Sequence, residues 1–186
     1  SMFAARLARW WPDLYAGLVP LYGAGAAEGI AADLVDLAEQ AYAARSPALH
    51  ERDLHRILDP HWLQEPSMIG YAAYTERFGT DLRGVAAEIP YLAELGVRYL
   101  HLMPLLRPRD GDNDGGYAVA DYRAVRPDLG TMDDLEALAG ALHEAGMSLT
   151  LDLVLNHVAR EHEWAVRARA GDAEYRDYFH VFPDRA

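Results

Sequence analysis

Residues 147–157 read MSLTLDLVLNH, and this stretch decides the fold class. Leucines recur at every second position within it, and that alternation is typical of a β-strand. A helix is predicted just before it, because Thr131 and Asp134 have the spacing of a capping box and Gly146 suits a helix stop. The sequence therefore predicts a helix that leads into a buried strand over 147–155.

Two earlier apolar runs fit buried strands, at 68–74 and 97–103. The segment 81–95 between them has helical spacing, and Pro90 predicts that it forms two short helices. A loop of roughly 25 residues separates the second strand from the next helix. This alternation of strands and helices predicts three adjacent parallel strands joined by right-handed crossovers.

The first third of the chain has a different pattern. Residues 3–58 have helical spacing, and Ser46 followed by Pro47 predicts the start of a separate helix. Because the strand pattern begins at Pro66, we predict a helical domain over residues 1–66. Three parallel strands do not close a barrel, so the remainder is either a small open sheet or a piece of something longer, and we favour the piece.

The composition limits the partners of the protein. Its formal net charge is −12 and its pI is about 5.0, which disfavours nucleic acid and anionic membrane surfaces. Hydrophobic residues make up 51% of the chain, enough for a core, and no cysteine is present for disulfides or thiolate metal sites. No apolar run approaches the ~20 residues of a membrane span. We expect a cytoplasmic protein with a neutral or cationic substrate.

Polar residues interrupt the third predicted strand and follow it. Asp152 and Asn156 share one face of that strand, and His157 comes next, at the end where α/β proteins bind ligands. A buried carboxylate is costly unless it is paired. Asp152 therefore either belongs to a site or forms internal hydrogen bonds that order the strand.

The loop after the second strand contains a group of oxygen-bearing side chains, Asp110, Asp112, Asn113 and Asp114. Such loops can bind calcium, yet the spacing does not match an EF-hand, and a solvated acidic turn is the alternative. Tyr117 follows two glycines, which suits a tight turn that presents its ring for stacking. Asp114 and Asp152 together would suit glycoside chemistry if their carboxyl groups were about 5–5.5 Å or 6.5–9.5 Å apart.

Residues 152–157, DLVLNH, resemble the first signature region of the α-amylase superfamily (glycoside hydrolase family 13), at the end of the third barrel strand. Other stretches are similar more narrowly to amylosucrases, and a helical N-terminal domain also fits that family. These stretches are DLRG (81–84), YLHLMPL (99–105), DGGYAV (114–119), LGT (129–131), HEAG (143–146), EWA (163–165) and FPDR (182–185).

The resemblance implies a particular α/β domain layout. An all-helical N-terminal domain, residues 1–66, would precede the first three βα units of a truncated (β/α)8 TIM barrel over 67–158. Residues 159–186 would begin the domain inserted after the third barrel strand. The family's nucleophile and acid/base lie on later strands, so the resemblance implies no catalytic residue in this chain and an inactive fragment.

Amylosucrases move the glucosyl unit of sucrose through a covalent β-glucosyl-enzyme to an α-1,4-glucan and release fructose, without a cofactor. By resemblance, sucrose and α-glucan are the partners, and no metal is bound. Tyr117 would stack on the glucosyl ring, His157 would hydrogen-bond one of its hydroxyls, and Asp114 would help to close the pocket. Asp152 would support this site from within the barrel.

Two other kinds of function remain open. One is a related enzyme, such as a sucrose hydrolase, an α-amylase or a trehalose synthase type of α-glucosidase relative. The other is a stand-alone carbohydrate-binding or interaction module. We also expect self-association, because the open edge of the third strand lies beside an apolar face that a second copy or the folded-back tail from Glu161 to Phe179 would cover.

Overall fold

The computed structural model describes residues 2–183. Two compact units divide between Trp62 and Leu63, close to the predicted domain boundary at residue 66. The last two residues of the FPDR stretch, and with them the end of the predicted 159–186 domain, lie outside the described residues.

The first unit is helical, as the sequence predicts, and contains α1 (Met2–Ala43) and α2 (Pro47–Leu58). Gly23 has φ 76° and ψ 156°, so α1 consists of two helical segments with a kink between them. The start of α2 is capped by Ser46, whose side chain accepts a hydrogen bond from the backbone N–H of Leu49. The predicted cap and first-turn proline are therefore confirmed.

Helix α1 is long enough and apolar enough, by length and composition alone, to cross a membrane. Core helices of soluble proteins and signal sequences meet the same criteria. Charged residues such as Arg6 and Asp13 interrupt its apolar runs. The expectation of no membrane partner stays a prediction.

The second unit contains five strands and six helices among its described residues. The strands are β1 (Ile69–Ala73), β2 (Val97–Leu102), β3 (Leu106–Pro108), β4 (Val119–Val125) and β5 (Ser148–Leu151). The helices are α3 (Thr75–Phe78), α4 (Leu82–Ala87), α5 (Ile89–Glu94), α6 (Met132–Glu144), α7 (Glu163–Arg169) and α8 (Ala173–Arg176).

Strands β1, β2 and β5 form one parallel sheet in the order β1-β2-β5, which confirms the predicted arrangement. In its register, His101 pairs with Thr150 and Leu102 pairs with Leu151. Parallel strands joined by helices are what the alternating sequence pattern requires. Closure of such a sheet into a barrel stays a prediction.

The core lies on the helix-covered face of this sheet. Leu100 and Leu102 of β2 are fully buried, as are Leu92 of α5 and Leu142 of α6. Each such leucine contributes about 2 kcal/mol through the apolar area it removes from water. This burial holds the carboxyl ends of the strands at one edge.

The opposite face of the sheet is not apolar, contrary to our expectation. It carries small or polar residues, including Gly70 of β1, Tyr99 and His101 of β2, and Thr150 of β5. A Cβ on Gly70 would overlap the ring of Tyr99, so any larger residue there would require that ring to move. The face therefore resembles a lining for polar groups more than a surface that must be covered.

The third strand ends earlier than predicted. Strand β5 stops at Leu151, where its partner β2 also ends, so the backbone beyond it has no neighbouring strand to pair with. The alternation of leucines beyond Leu151 therefore does not mark a strand. Leu153 and Leu155 are 63% and 76% exposed, whereas Val154 is buried.

The segment between β2 and α6, which was predicted to be a loop throughout, contains two strands, so that prediction was wrong. Strands β3 and β4 form an antiparallel two-stranded ribbon within it. The ribbon has only three residues in β3, one of them Pro108, and two register shifts. So short and irregular a pairing leaves no recognisable alternation in the sequence.

Candidate functional site

The ribbon presents a left-handed turn at the carboxyl edge of the sheet. Asp114, Gly115 and Gly116 all have positive φ, at 54°, 66° and 95°. The side chain of Asn113 holds the turn by accepting a hydrogen bond from the N–H of Gly116 at 2.9 Å. A Cβ on Gly116 would lie 2.9 Å from the carbonyl oxygen of Pro104. This close approach fixes where the next residue, Tyr117, leaves the turn.

Asp152 connects the turn to the sheet. Its Oδ2 accepts a hydrogen bond from the hydroxyl of Tyr117 at 2.9 Å, and its Oδ1 lies 3.0 Å from Nε2 of His101. Both carboxylate oxygens are therefore engaged, which is how a partly buried carboxylate avoids the cost of lost hydration. We call these three residues, with His157, the Asp152 cluster.

The phenol of Tyr117 remains protonated over a wide pH range. Its pKa is raised above 10.0, mainly because its hydroxyl donates to Asp152, with smaller contributions from burial and from nearby negative charge that includes Asp114. A phenolate could not donate this hydrogen bond. Tyr117 thus acts as a donor beside a negative charge at neutral pH.

His157 lies at the exposed rim of the cluster. Its Nε2 is 3.2 Å from the backbone oxygen of Tyr117, so the end of the third strand and the turn of the ribbon meet there. The sequence expectation brought Tyr117 and His157 to one rim, and the structure places them together.

Asp114 and Asn156 lie outside the hydrogen-bonded part of the cluster. Asp114 is exposed and close enough to Tyr117 for its charge to influence that phenol. Asn156 is exposed and follows the end of β5. Within residues 2–183, no group of three or more histidine, aspartate or glutamate side chains is arranged to hold a metal ion.

Sequence reasoning missed His101 as a member of the cluster. Its signal was present, because a histidine stands between Leu100 and Leu102, two fully buried residues, in a strand. His101 is in register with Thr150, and Asp152 lies two residues further along the same face. A search for polar residues on adjacent predicted strands would have made it a candidate, although its partner depends on the register.

Chemically, the Asp152 cluster offers hydrogen-bond groups and an aromatic ring at the mouth of a parallel sheet. Such a combination suits a ligand with several hydroxyl groups and an apolar ring face. Asp152 is a poor candidate for a nucleophile, because both its oxygens already accept hydrogen bonds within the protein.

Comparison with known proteins gives the family. The model of the α-amylase catalytic domain matches residues 48–186, about three quarters of the chain. The chain therefore belongs to the α-amylase catalytic-domain family.

Individual relatives agree with this assignment. The oligo-1,6-glucosidase of Parageobacillus thermoglucosidasius is 40% identical over 100 residues, covering 53% of this chain and 17% of the relative. The trehalulose synthase MutB of Pseudomonas mesoacidophila MX-45 has a TM-score of 0.56 at 34% identity, over 61% of this chain and 22% of its own. A MutB mutant in complex with the substrate sucrose has a TM-score of 0.58 at 34% identity, over 65% and 22%.

These relatives correct the sequence analysis in one respect. They support the superfamily and do not support the narrower amylosucrase type. The stretches that suggested amylosucrase are short, and several of them lie at helix caps and turns. The chain spans about a fifth of the length of the relatives that it matches.

Proposed function

We propose that the Asp152 cluster binds the glucosyl unit of an α-glucoside, in an enzyme of the α-glucosidase or glucosyl-isomerising type. The observation that carries this is the bonded chain from His101 through Asp152 to Tyr117 at the ligand-binding edge of an α-amylase-family sheet. The similarity to an oligo-1,6-glucosidase and to a trehalulose synthase favours this type over amylosucrase.

Each residue has a distinct role in the proposed pocket. Tyr117 supplies a ring face on which a sugar ring stacks. His157, exposed and next to Tyr117, donates to or accepts from a sugar hydroxyl. Asp114 closes the pocket from the turn, and Asp152 keeps Tyr117 in place. An acidic protein with a net charge of −12 suits a neutral sugar better than a phosphorylated one.

We further propose that residues 1–186 alone do not cleave the sugar. A retaining reaction needs a nucleophile and an acid/base carboxyl group about 5–5.5 Å apart. In the Asp152 cluster, both oxygens of the Asp152 carboxylate already accept hydrogen bonds from the protein. Asp114 alone does not provide the required pair of carboxyl groups. No glucose or fructose should appear when the pure chain is incubated with sucrose.

The test uses the protein encoded by the complete reading frame, assayed on sucrose and on isomaltose, a 1,6-linked glucose disaccharide. We expect turnover of at least one of them, and His157→Ala should lower kcat by about tenfold or more, because its hydrogen bond tightens in the transition state. Transfer of glucosyl from sucrose to an α-1,4-glucan as the main reaction would favour the amylosucrase type instead. Turnover by the isolated chain, abolished by Asp114→Ala, would show that the carboxylates were assigned wrongly.

A further inference from the structure

The segment after β5 is fixed to the ribbon by contacts outside the proposed sugar pocket. The hydroxyl of Tyr122, in β4, donates to the backbone oxygen of Val154 and, at 3.2 Å, to that of His157. Ala159 donates its backbone N–H to the oxygen of Val119 at 2.7 Å. These bonds act on the stretch of backbone that carries His157.

The ring of His162 packs against the ring of Tyr122. The residue is 7% exposed, and the two rings meet edge-on, with the centroids 5.6 Å apart. Its backbone N–H donates to the oxygen of Ala159 at 3.0 Å. Its Nδ1 accepts from the N–H of Trp164 at 3.2 Å, so the same ring caps helix α7.

Only a neutral His162 can cap α7, because Nδ1 must be unprotonated to accept from Trp164. Burial of the ring is the largest influence on the pKa of His162 and lowers it, whereas Asp121 of β4 and Glu163 of α7 oppose that shift. Tyr122, the other titratable group packed against it, stays a donor because burial raises its pKa. His162 is therefore neutral at pH 7, and acid removes the cap and puts a charge beside Tyr122.

We propose that Tyr122 and His162 are positioning residues, forming a clamp that fixes the segment bearing His157 against β4 and that opens on acidification. The effect of the clamp on sugar binding rests on the proposed function. The clamp itself is a property of the described contacts and can be measured without a sugar.

The first test removes one hydroxyl. Tyr122→Phe keeps the ring against His162 but loses both hydrogen bonds to the segment. We expect the hydrogen-exchange protection of the Ala159 amide to fall about tenfold and the affinity for methyl α-glucoside to weaken about fivefold. The matched control is Tyr178→Phe, since Tyr178 packs against Trp164 in the same aromatic group and has no bond to the segment.

The second test separates the clamp from simple packing by its pH dependence. In the unmodified chain, the protection of Ala159 should fall as the pH is lowered through the pKa of His162, which burial depresses below its ordinary value of 6.5. His162→Asn retains an oxygen that caps α7 but does not titrate in this range. Its protection should therefore be independent of pH over the same interval.

Three results would contradict the proposal. Unchanged Ala159 protection in Tyr122→Phe is one, and an undiminished pH dependence in His162→Asn is another. The third is lost protection without any change in sugar affinity, which would remove the positioning role. If the unmodified chain binds no methyl α-glucoside, the proposed function fails, and hydrogen exchange still decides the clamp.

Discussion

Asp152 joins residues that are far apart in the sequence, since its two oxygens bind His101 and Tyr117. At this scale the chemistry depends on one charged acceptor. A carboxylate holds a phenol hydroxyl more strongly than a neutral amide does. The ionisation of Tyr117 therefore reports directly on whether the cluster forms.

We predict that Tyr117 titrates above its ordinary value of 10.0 and that Asp152→Asn brings its pKa back towards that value. Because the folded-state pKa is raised, the stabilising effect is complete below pH 10 and disappears as the pH rises through the folded pKa. A titration of the ¹³Cζ resonance of Tyr117, assigned with Tyr117→Phe, measures it. The same pKa in the unmodified chain and in Asp152→Asn would mean that the bond is absent in solution.

Single elements show where the sequence was informative. The capping box of α6 could be predicted because its signal is local. In the structure, Thr131 and Asp134 form both of its hydrogen bonds. The end of β5 could not be predicted, because it depends on where β2 stops, 49 residues earlier in the chain, and not on the leucines that continue. The ribbon was missed for a similar reason, since its register is set by pairing and not by alternation.

The same contrast holds for the site. Tyr117 and His157 could be placed at one rim from strand order alone. The bond between His101 and Asp152 required the register of β2 against β5, which no single segment contains. The order of the parallel strands and the rim are thus predictable from local pattern, and the hydrogen-bond partners are not.

For helix α6, Thr131→Ala should lower the free energy of unfolding of the second unit by about 1 kcal/mol, because the N-terminal cap loses its hydroxyl acceptor. Thr131→Ser keeps the hydroxyl and should cost little. Urea denaturation followed by circular dichroism gives both values. Equal losses in the two variants would mean that the methyl group, and not the cap, stabilises the helix.

The same cap should respond to acid. The Arg83 guanidinium, with Nε 2.8 Å from Asp134, is the largest cause that lowers the pKa of this carboxyl from 3.8 to about 2, and the bonds to Thr131 add to it. Since the folded pKa is depressed, this stabilisation is present above pH 3.8 and is lost as the pH falls through about 2.

Thermal melts across that acid range would test this effect. Asp134→Asn should flatten the decline in stability relative to the unmodified chain. Asp133→Asn, the same change one residue away, should leave the decline as it is. A decline of equal steepness in all three proteins would contradict the assignment.

On the scale of the whole molecule, β2 is the only strand that pairs with β5 within the described residues. The other edge of β5 is short, and Leu153 and Leu155, which follow the strand, are exposed. An unpaired edge and exposed apolar side chains favour association, while the high negative charge opposes unlimited growth.

We therefore predict a closed dimer whose population rises with concentration. Leu155→Asp should shift it towards monomer, because it replaces an exposed apolar side chain with a charge. Sedimentation equilibrium across a concentration series measures this. A monomer at every concentration, or a dimer that Leu155→Asp does not weaken, would contradict the prediction.

A titration of the 186-residue chain with methyl α-glucoside, followed by amide NMR, tests whether the Asp152 cluster binds a glucosyl unit. We expect saturable shifts at Tyr117, Ala118 and His157 that Asp152→Asn weakens and Tyr178→Phe does not. An absence of saturable shifts, or shifts confined to the helical first unit, would contradict it.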